Sequence, residues 1–591
     1  MKILHLNTFY LQGGAARAAS RLHQGLIEIG QQSRMLTLHK NSDQETVSQL
    51  PLPSGKQSPN YLYLNAIQNN YINLNRSAIS NTLFSLPYPG LDVDNLDQVI
   101  QADIINLHWL ANFFQSPITI KKLLDLGKPV VWTLHDMWAF TGGCHYSAGC
   151  QGYQADCSNC PQLSNDLYNL PQAILKDKLE LISNPNLVIV TPSKWLADCV
   201  QKSHIFARNR LEVIPYSLDS QIFKPLDKFE AKKLLNIDGD CVTILAGAQT
   251  GKEKRKGFIE LIKVLKICLT YPFFQKLVQT QKFKLICFGE PNEELNNLDL
   301  PILSLGTIND DQKLSQIYAA ADLFLLPSLE DNFPNTMLEA MSCGTPVIGF
   351  KIGGIPDLIQ DKITGRIVPP ENLDGMAEVI IQSLSNGNEL HNMGKACRQV
   401  VEENYYLSRQ AHQYLELYQQ LIDQNELCSP LSSQIEGQAN NSDSHLTNHL
   451  SERDNLTLEF NTNLGKNLSK IFPHIALSAL TKELEQTQAS LYSKNLELNN
   501  LQQKLHEKEV VLVEKETQLQ QTEAQLQRLQ ETIDDQNLEL NKFQQQLPEK
   551  QAELERLQQT IIAMKSSKFW KLRTKWFKLK KWLGLQSQPT N

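Results

Sequence analysis

The sequence predicts an α/β protein built from two Rossmann-like halves in tandem and extended by a long coiled coil. Three observations carry that expectation. Short apolar runs alternate with helical stretches between residues 3 and 190, spaced as parallel strands would be. The same alternation starts again at residue 242, and Leu or Ile stands at every seventh position from 477 to 561, thirteen hits in a row.

Taken in order, Ile3-Leu-His-Leu6 reads as the first strand, the Gly13-Gly14 turn lets backbone approach a ligand closely, and residues 15–29 form the first helix. Apolar runs at 104–107, 130–134 and 187–190 complete a first domain, assigned to residues 1–216. Runs at 242–246, 284–288, 323–326 and 346–350 define a second, 217–395. Helical patterning continues through a return segment, 396–424. Residues 425–475 are rich in Ser, Asn and Gln with little apolar period, the composition of a mostly disordered linker. The coiled coil takes 476–565 and a basic tail 566–591.

At 591 residues there is ample mass for buried cores. The net charge of −7 argues against a protein that coats nucleic acid, but it hides an asymmetry. Residues 565–581 hold eight Lys or Arg and no acid, which leaves the rest of the chain at −15. The N-terminus lacks the continuous apolar length of a signal peptide, and nowhere do 18 apolar residues run together, so the expected compartment is the cytoplasm. Eleven scattered cysteines fit reduced thiols better than a disulfide framework.

The segment richest in chemistry runs from Leu325 to Ile348. Its strand stops at Pro327; Asp331 lies in the polar turn that follows and Glu339 early in the next helix, which Asn335 or Thr336 is expected to cap. Ligands of open α/β sheets gather at such strand ends. Free N–H groups at a helix start attract diphosphate, and a carboxylate one turn in accepts hydrogen bonds from ribose or sugar hydroxyls. Spacing alone is equally compatible with an ordinary strand, loop and helix carrying a solvated Glu.

Asp331 and Glu339, eight positions apart, resemble the acidic pair of the retaining glycosyltransferases of the large GT4 family, whose fold is called GT-B. That family usually has Glu at the first position; here Asp331 takes the place, with Glu330 beside it. The resemblance implies two Rossmann-like domains facing across a cleft, with a nucleotide-sugar donor between them. It implies that His135, just past a strand in Trp132-Thr-Leu-His-Asp136, contacts the donor sugar and helps organise catalysis together with Asp331 and Glu339. It also implies that Lys256, before Gly257, binds the diphosphate, and that Gly13 and Gly14 lie near donor phosphate and acceptor. Gly247, Arg255, Asn332 and Phe333 join the expected donor-binding set. Where family members commonly carry Arg after the strand glycine this chain has Ala248, for which Arg255 or Lys252 would substitute. The Gly353-Gly-Ile-Pro-Asp357 turn is a further family feature, expected to shape the nucleotide pocket. Residues 247–252 are no Walker loop, having three residues between the glycines and Glu253 after the lysine. Retention of configuration follows from the family alone. No Asp-x-Asp stands in a convincing context, so no cofactor is expected to be required for catalysis.

Cys144, Cys150, Cys157 and Cys160 place four thiols within 17 residues, the second pair in C-x-x-C spacing. Four thiolates suit a closed tetrahedral zinc site; free thiols and two disulfides are the alternatives. The flanking Thr141-Gly-Gly-Cys-His-Tyr-Ser and Asn159-Cys-Pro-Gln-Leu resemble a bacterial GT4 subgroup acting on surface polysaccharides. Their closeness to His135 makes the cluster a candidate brace for the acceptor-side loop.

In the coil the second core column is poorer, with Lys494, Lys508, Lys515 and Gln536 among its apolar members, which leaves oligomer number open; Pro548 is expected to kink it. Unpartnered, a helix of this length would leave its leucine stripe wet. In the tail, Phe569, Leu572, Trp576, Leu579 and Leu583 share one helical face, with Trp570, Phe577 and Trp582 to its sides. Lysines between such aromatics make residues 566–583 a candidate for an anionic membrane surface, with a partner groove or nucleic acid as weaker readings.

Together these features predict a glycosyltransferase that moves a sugar from a nucleoside-diphosphate donor to a cell-surface glycan or lipid-linked acceptor. It would be a homo-oligomer through residues 476–565, without a nucleic-acid partner, and peripheral at the inner membrane face. The alternatives are a nucleotide-sugar epimerase or glycogen-synthase-like enzyme on the same fold, and a non-catalytic coiled-coil scaffold.

Overall fold

The computed structural model describes residues 1–40, 42–50, 64–65, 67–80, 82–248, 253–290, 295–428, 462–566 and 568–584. Lys252 and most of the expected linker, 429–461, lie outside them. The chain divides into two compact units, 1–483 and 484–591.

The first unit holds two all-parallel sheets. One runs β1 (Lys2–Phe9), β2 (Gln32–His39), β3 (Val47–Gln49), β4 (Ile104–Leu107), β5 (Val130–Thr133), β6 (Leu187–Thr191) and β7 (Leu211–Val213), in the spatial order β3-β2-β1-β4-β5-β6-β7. The other holds β8 (Val242–Ala248), β9 (Phe283–Gly289), β10 (Ile302–Ser304), β11 (Leu323–Leu326), β12 (Val347–Phe350) and β13 (Gly365–Val368), ordered β10-β9-β8-β11-β12-β13. Strands buried on both faces need continuous apolar runs, which is why β4, β5, β11 and β12, buried at every residue, were legible. The polar or three-residue strands β2, β3, β7, β10 and β13 were not. Each sheet steps out to one edge over three strands and then returns to the far side of its first strand. That order opens a crevice at the carboxyl ends of β1 and β4, and of β8 and β11, and ligands of such sheets bind there.

Helix α1 (Gly14–Glu28) follows β1 directly, its N-terminus set by Gly13 at φ 94°. On the face it covers, the helix Leu407–Cys428 packs alongside, burying Ala411, Tyr414, Leu417 and Tyr418 with Ile3, Leu22 and Val188. The Tyr414 hydroxyl lies 3.0 Å from the Thr133 hydroxyl, and the Tyr418 hydroxyl accepts a 2.6 Å bond from Asn106. A Cβ at Gly25 would stand 2.8 Å from the Leu407 carbonyl, so α1 has no room there for a side chain. The expected boundary at 395 falls inside a different helix, Gly387–Asn404, whose Cys397 and Val401 belong to the second domain's core. The segment that returns to the first domain is Leu407–Cys428.

Helix Asn463–Ser566 starts earlier than the expected coil and continues unbroken through Pro473 and Pro548. Its start is fixed by Asp177, whose carboxylate accepts the N–H groups of Asn463 (2.7 Å) and Leu464 (3.1 Å), doing from elsewhere in the chain what a local N-cap does. In the second unit that helix is followed by Lys568–Trp582. The heptad residues of the long helix from Leu491 to Ile561 are exposed, Leu491 at 60% and Leu526 at 66% among them. No helix among the described residues is long and apolar enough to cross a membrane.

Candidate active site

The carboxyl ends of the two sheets share one cleft cavity of about 1180 Å³. From the first domain it is lined by Gly13, Gly14, Arg17, Arg21 and His135, and from the second by Gly247, Arg255, Lys256, Asp331, Asn332, Phe333 and Glu339. The expected catalytic and donor-binding residues named here thus line one cleft, whereas the Gly353–Asp357 turn does not line it.

Asp331 is 5% exposed, and three donors meet its Oδ2: Lys256 Nζ at 2.7 Å, Ser328 Oγ at 3.3 Å and Arg255 Nη1 at 3.4 Å. Burial alone would push this carboxyl up, but Lys256 and Arg255 outweigh it and hold it below the ordinary range. Burial pulls the Lys256 ammonium down, with Arg255 adding to the effect and Asp331 opposing it. The cations are delivered by a tight turn. Gly257 sits at φ 68°, and a Cβ there would fall 1.8 Å from the Pro327 carbonyl, so only glycine lets the Lys256 loop lie on the end of β11.

The Asp331 loop is pressed equally hard from the other side. A Cβ at Gly353, at φ 52°, would stand 1.7 Å from the Asp331 carbonyl. That contact accounts for the glycine pair before Asp357, whose carboxylate accepts the Lys194 N–H across the domains at 2.7 Å. The helix begins at Asn335 without a side-chain cap, contrary to the expectation that Asn335 or Thr336 would supply one. Asn335 instead donates to the Gly14 carbonyl at 2.8 Å, tying the helix start to the Gly13-Gly14 turn.

Glu339 is 3% exposed, with Oε1 on Arg21 Nη2 at 2.6 Å and Oε2 on the Tyr318 hydroxyl at 3.1 Å. Arg17, four residues before Arg21 on α1, pairs with Asp311. Asn332 acts as a bridge: its amide donates to the His135 carbonyl at 3.0 Å and its Oδ1 accepts the Ser193 hydroxyl at 2.5 Å. Phe333 is buried edge-on against Tyr216, so it packs the domain junction.

His135 is buried with both ring nitrogens engaged, Nδ1 on the Tyr216 hydroxyl at 2.6 Å and Nε2 on His108 Nδ1 at 3.1 Å. His108 continues to His5 at 2.9 Å, and the His5 ring packs edge-on to His23. Burial drives all four imidazoles toward the neutral form: His23 and His135 to about 4, and His5 and His108 well below their ordinary value. A neutral imidazole has one donor and one acceptor, so the row can be satisfied only head to tail, in one tautomer order at a time.

The four clustered cysteines are free thiols lining a second, small cavity with Phe84 and Tyr153. The Gly152 N–H donates to Cys150 Sγ at 3.3 Å. Burial pushes Cys144 well above its ordinary range, Cys157 to about 12 and Cys160 upward. Among the described residues no three Cys, His, Asp or Glu side chains are grouped so as to hold a metal ion. The cysteine loop does reach the cleft. His145 binds Asp136 at 2.7 Å, the Ala148 N–H donates to Glu330 at 3.1 Å, and the Tyr146 ring lies 4.5 Å from the Arg255 guanidinium.

Sequence reasoning missed Arg17, Arg21, Tyr146, Tyr216, Tyr318, His5 and His108. The i, i+4 arginines directly after Gly13-Gly14 carried a usable signal, since that spacing puts both on one helix face. The others become site residues only through distant partners.

The fold and cleft define a GT-B protein. Residues 244–386 match the family model described as "Glycosyl transferases group 1". The chain is 34% identical over 158 residues to N-acetyl-alpha-D-glucosaminyl L-malate synthase of Bacillus anthracis, covering 25% of this chain and 40% of that protein. It is 23% identical over 395 residues to the putative colanic acid biosynthesis glycosyl transferase WcaC of Escherichia coli (strain K12), covering 63% of this chain and 88% of that one. Sucrose-phosphate synthase from Thermosynechococcus elongatus shares the fold at a TM-score of 0.50 and 18% identity, over 72% of this chain and all of that one.

Proposed function

We propose that the chain transfers a sugar, with retention of configuration, from a nucleoside-diphosphate donor to a cell-surface glycan or lipid-linked acceptor. The observation that carries this reading is the shared cleft: Arg255 and Lys256 beside Asp331, with Glu339 one helical turn on and His135 opposite. Two cations near the end of β8 supply the charge stabilisation a departing diphosphate requires. Glu339 accepts from the ribose hydroxyls. The cavity exceeds the roughly 300–1,000 Å³ of a single small-ligand pocket, leaving space for donor and acceptor together. The name of the Escherichia coli relative favours a polysaccharide acceptor. Calorimetric titration with UDP, GDP and ADP tests the donor site: saturable binding of one of them is expected, and no binding of any contradicts it.

The C-terminal unit is read as an oligomerising coil with a membrane-surface helix, since its heptad leucines from Leu491 onward are exposed and Lys568–Trp582 carries seven cations beside exposed Phe569, Trp576 and Trp582. The enzyme then works at the inner membrane face. The full chain is expected to float with anionic liposomes and to scatter light as a multimer. Truncation after 565 should abolish flotation and leave the multimer intact; equal flotation of both proteins contradicts the anchor.

The four-thiol zinc site is also a proposal. It is supported by the shared cavity and the N–H donated to Cys150 Sγ, and binding would draw the four sulfurs together from their present positions. About one zinc per purified chain is expected, and none contradicts it.

A further inference from the structure

Arg21 comes from α1 of the first domain, yet it makes the shortest contact to Glu339 of the second, across 318 residues of sequence. Their side chains are 9% and 4% exposed. A carboxylate buried to that degree without a counter-charge is strongly disfavoured, so Glu339 depends on a cation that its own domain does not provide at this position. Tyr318 takes the other oxygen, and Arg21 is held in turn by the Phe223 ring 5.4 Å away. The Nη1 of Arg21 is buried and has no hydrogen-bond partner. A guanidinium nitrogen left unmatched beside a ligand cavity is a donor awaiting an acceptor.

We propose that Arg21 is a positioning residue for the nucleoside end of the donor: reaching across the cleft, it fixes the Glu339 carboxylate to receive the ribose and offers Nη1 to the bound nucleotide. A carboxylate has about four acceptor sites. Arg21 and Tyr318 use one on each oxygen, which leaves capacity for two ribose hydroxyls. The pair therefore orients Glu339 without filling it, and the second domain's nucleotide site is complete only when the first domain is docked. This inference rests on the donor reading above.

The test uses the full chain with Arg21→Met, Arg21→Lys, Glu339→Gln and the double variant Arg21→Met with Glu339→Gln. Binding of the nucleoside diphosphate preferred by the wild type is measured by calorimetry, and KM and kcat with the matching nucleotide sugar. Arg21→Met is expected to weaken nucleotide binding and raise donor KM at least tenfold while kcat stays within about threefold. Arg21→Lys should recover part of the loss, and Arg21→Met should add little in the Glu339→Gln background, because both changes disable one unit. A purely structural role would lower the melting temperature and would cost as much in the Glu339→Gln background as in the wild type. Unchanged or tighter nucleotide binding by Arg21→Met and Arg21→Lys, in a folded protein, overturns the proposal. If the wild type binds no nucleoside diphosphate, the donor reading fails and the role of Arg21 falls with it.

Discussion

Glu339→Ala is expected to lower kcat/KM for the donor by two to three orders of magnitude, about 3–4 kcal/mol of lost transition-state stabilisation. The ribose forfeits its hydrogen bonds to a charged acceptor, worth roughly 1.5–3 kcal/mol each. Separately, Arg21 is left as a buried cation whose 2.6 Å partner is gone, which lowers the stability of the fold and does not enter kcat/KM. Glu339→Gln keeps the shape and one acceptor, so its loss should be smaller. Steady-state kinetics on the two variants, with circular dichroism to confirm folding, separates these contributions. Equal activity of Glu339→Ala and the wild type contradicts the assignment.

Acid is expected to destabilise the first domain steeply well above the pH at which carboxylates titrate. His23 and His135 are held near 4 by burial, against about 6.5 in an unfolded chain. Between these values the unfolded state binds protons that the folded state refuses, so stability falls as the pH falls. Each contributes about 2 kcal/mol of loss between pH 7.5 and pH 5, and His5 and His108 act in the same direction. Asp331, depressed in the fold, adds its own loss only at lower pH as it protonates. Urea midpoints at pH 7.5 and 5 should differ clearly, and His23→Gln should flatten the dependence. A midpoint that does not move would contradict the neutral histidine row.

What the sequence made legible follows from how local each signal is. The run from Leu323 to Phe350 could be read because strand, turn, carboxylates and helix are contiguous, and the structure places all of them in order. Lys256 was legible through the glycine after it, and that glycine proves to be demanded by the Pro327 carbonyl. Arg21 was not, because its importance depends on a partner in the other domain. The histidine row is likewise assembled from β1, from α1 and from the ends of β4 and β5, so no window of sequence contains it. Leu407–Cys428 looks like any amphipathic helix until Asn106 and Thr133, on strands of the first sheet, bind its tyrosines. Asn332 and Phe333 were assigned to the donor from their neighbourhood; the structure gives Asn332 a bridging role between domains and Phe333 a packing role beside the cleft.

The most direct measurement of the central claim is turnover: release of nucleoside diphosphate by the full chain across a panel of UDP-, GDP- and ADP-sugars, with glycan and lipid-linked acceptors and with Glu339→Ala as control. The cleft geometry predicts that at least one donor is turned over by the wild type and that Glu339→Ala loses at least a hundredfold of that rate. No turnover of any donor, together with no nucleotide binding, would contradict it.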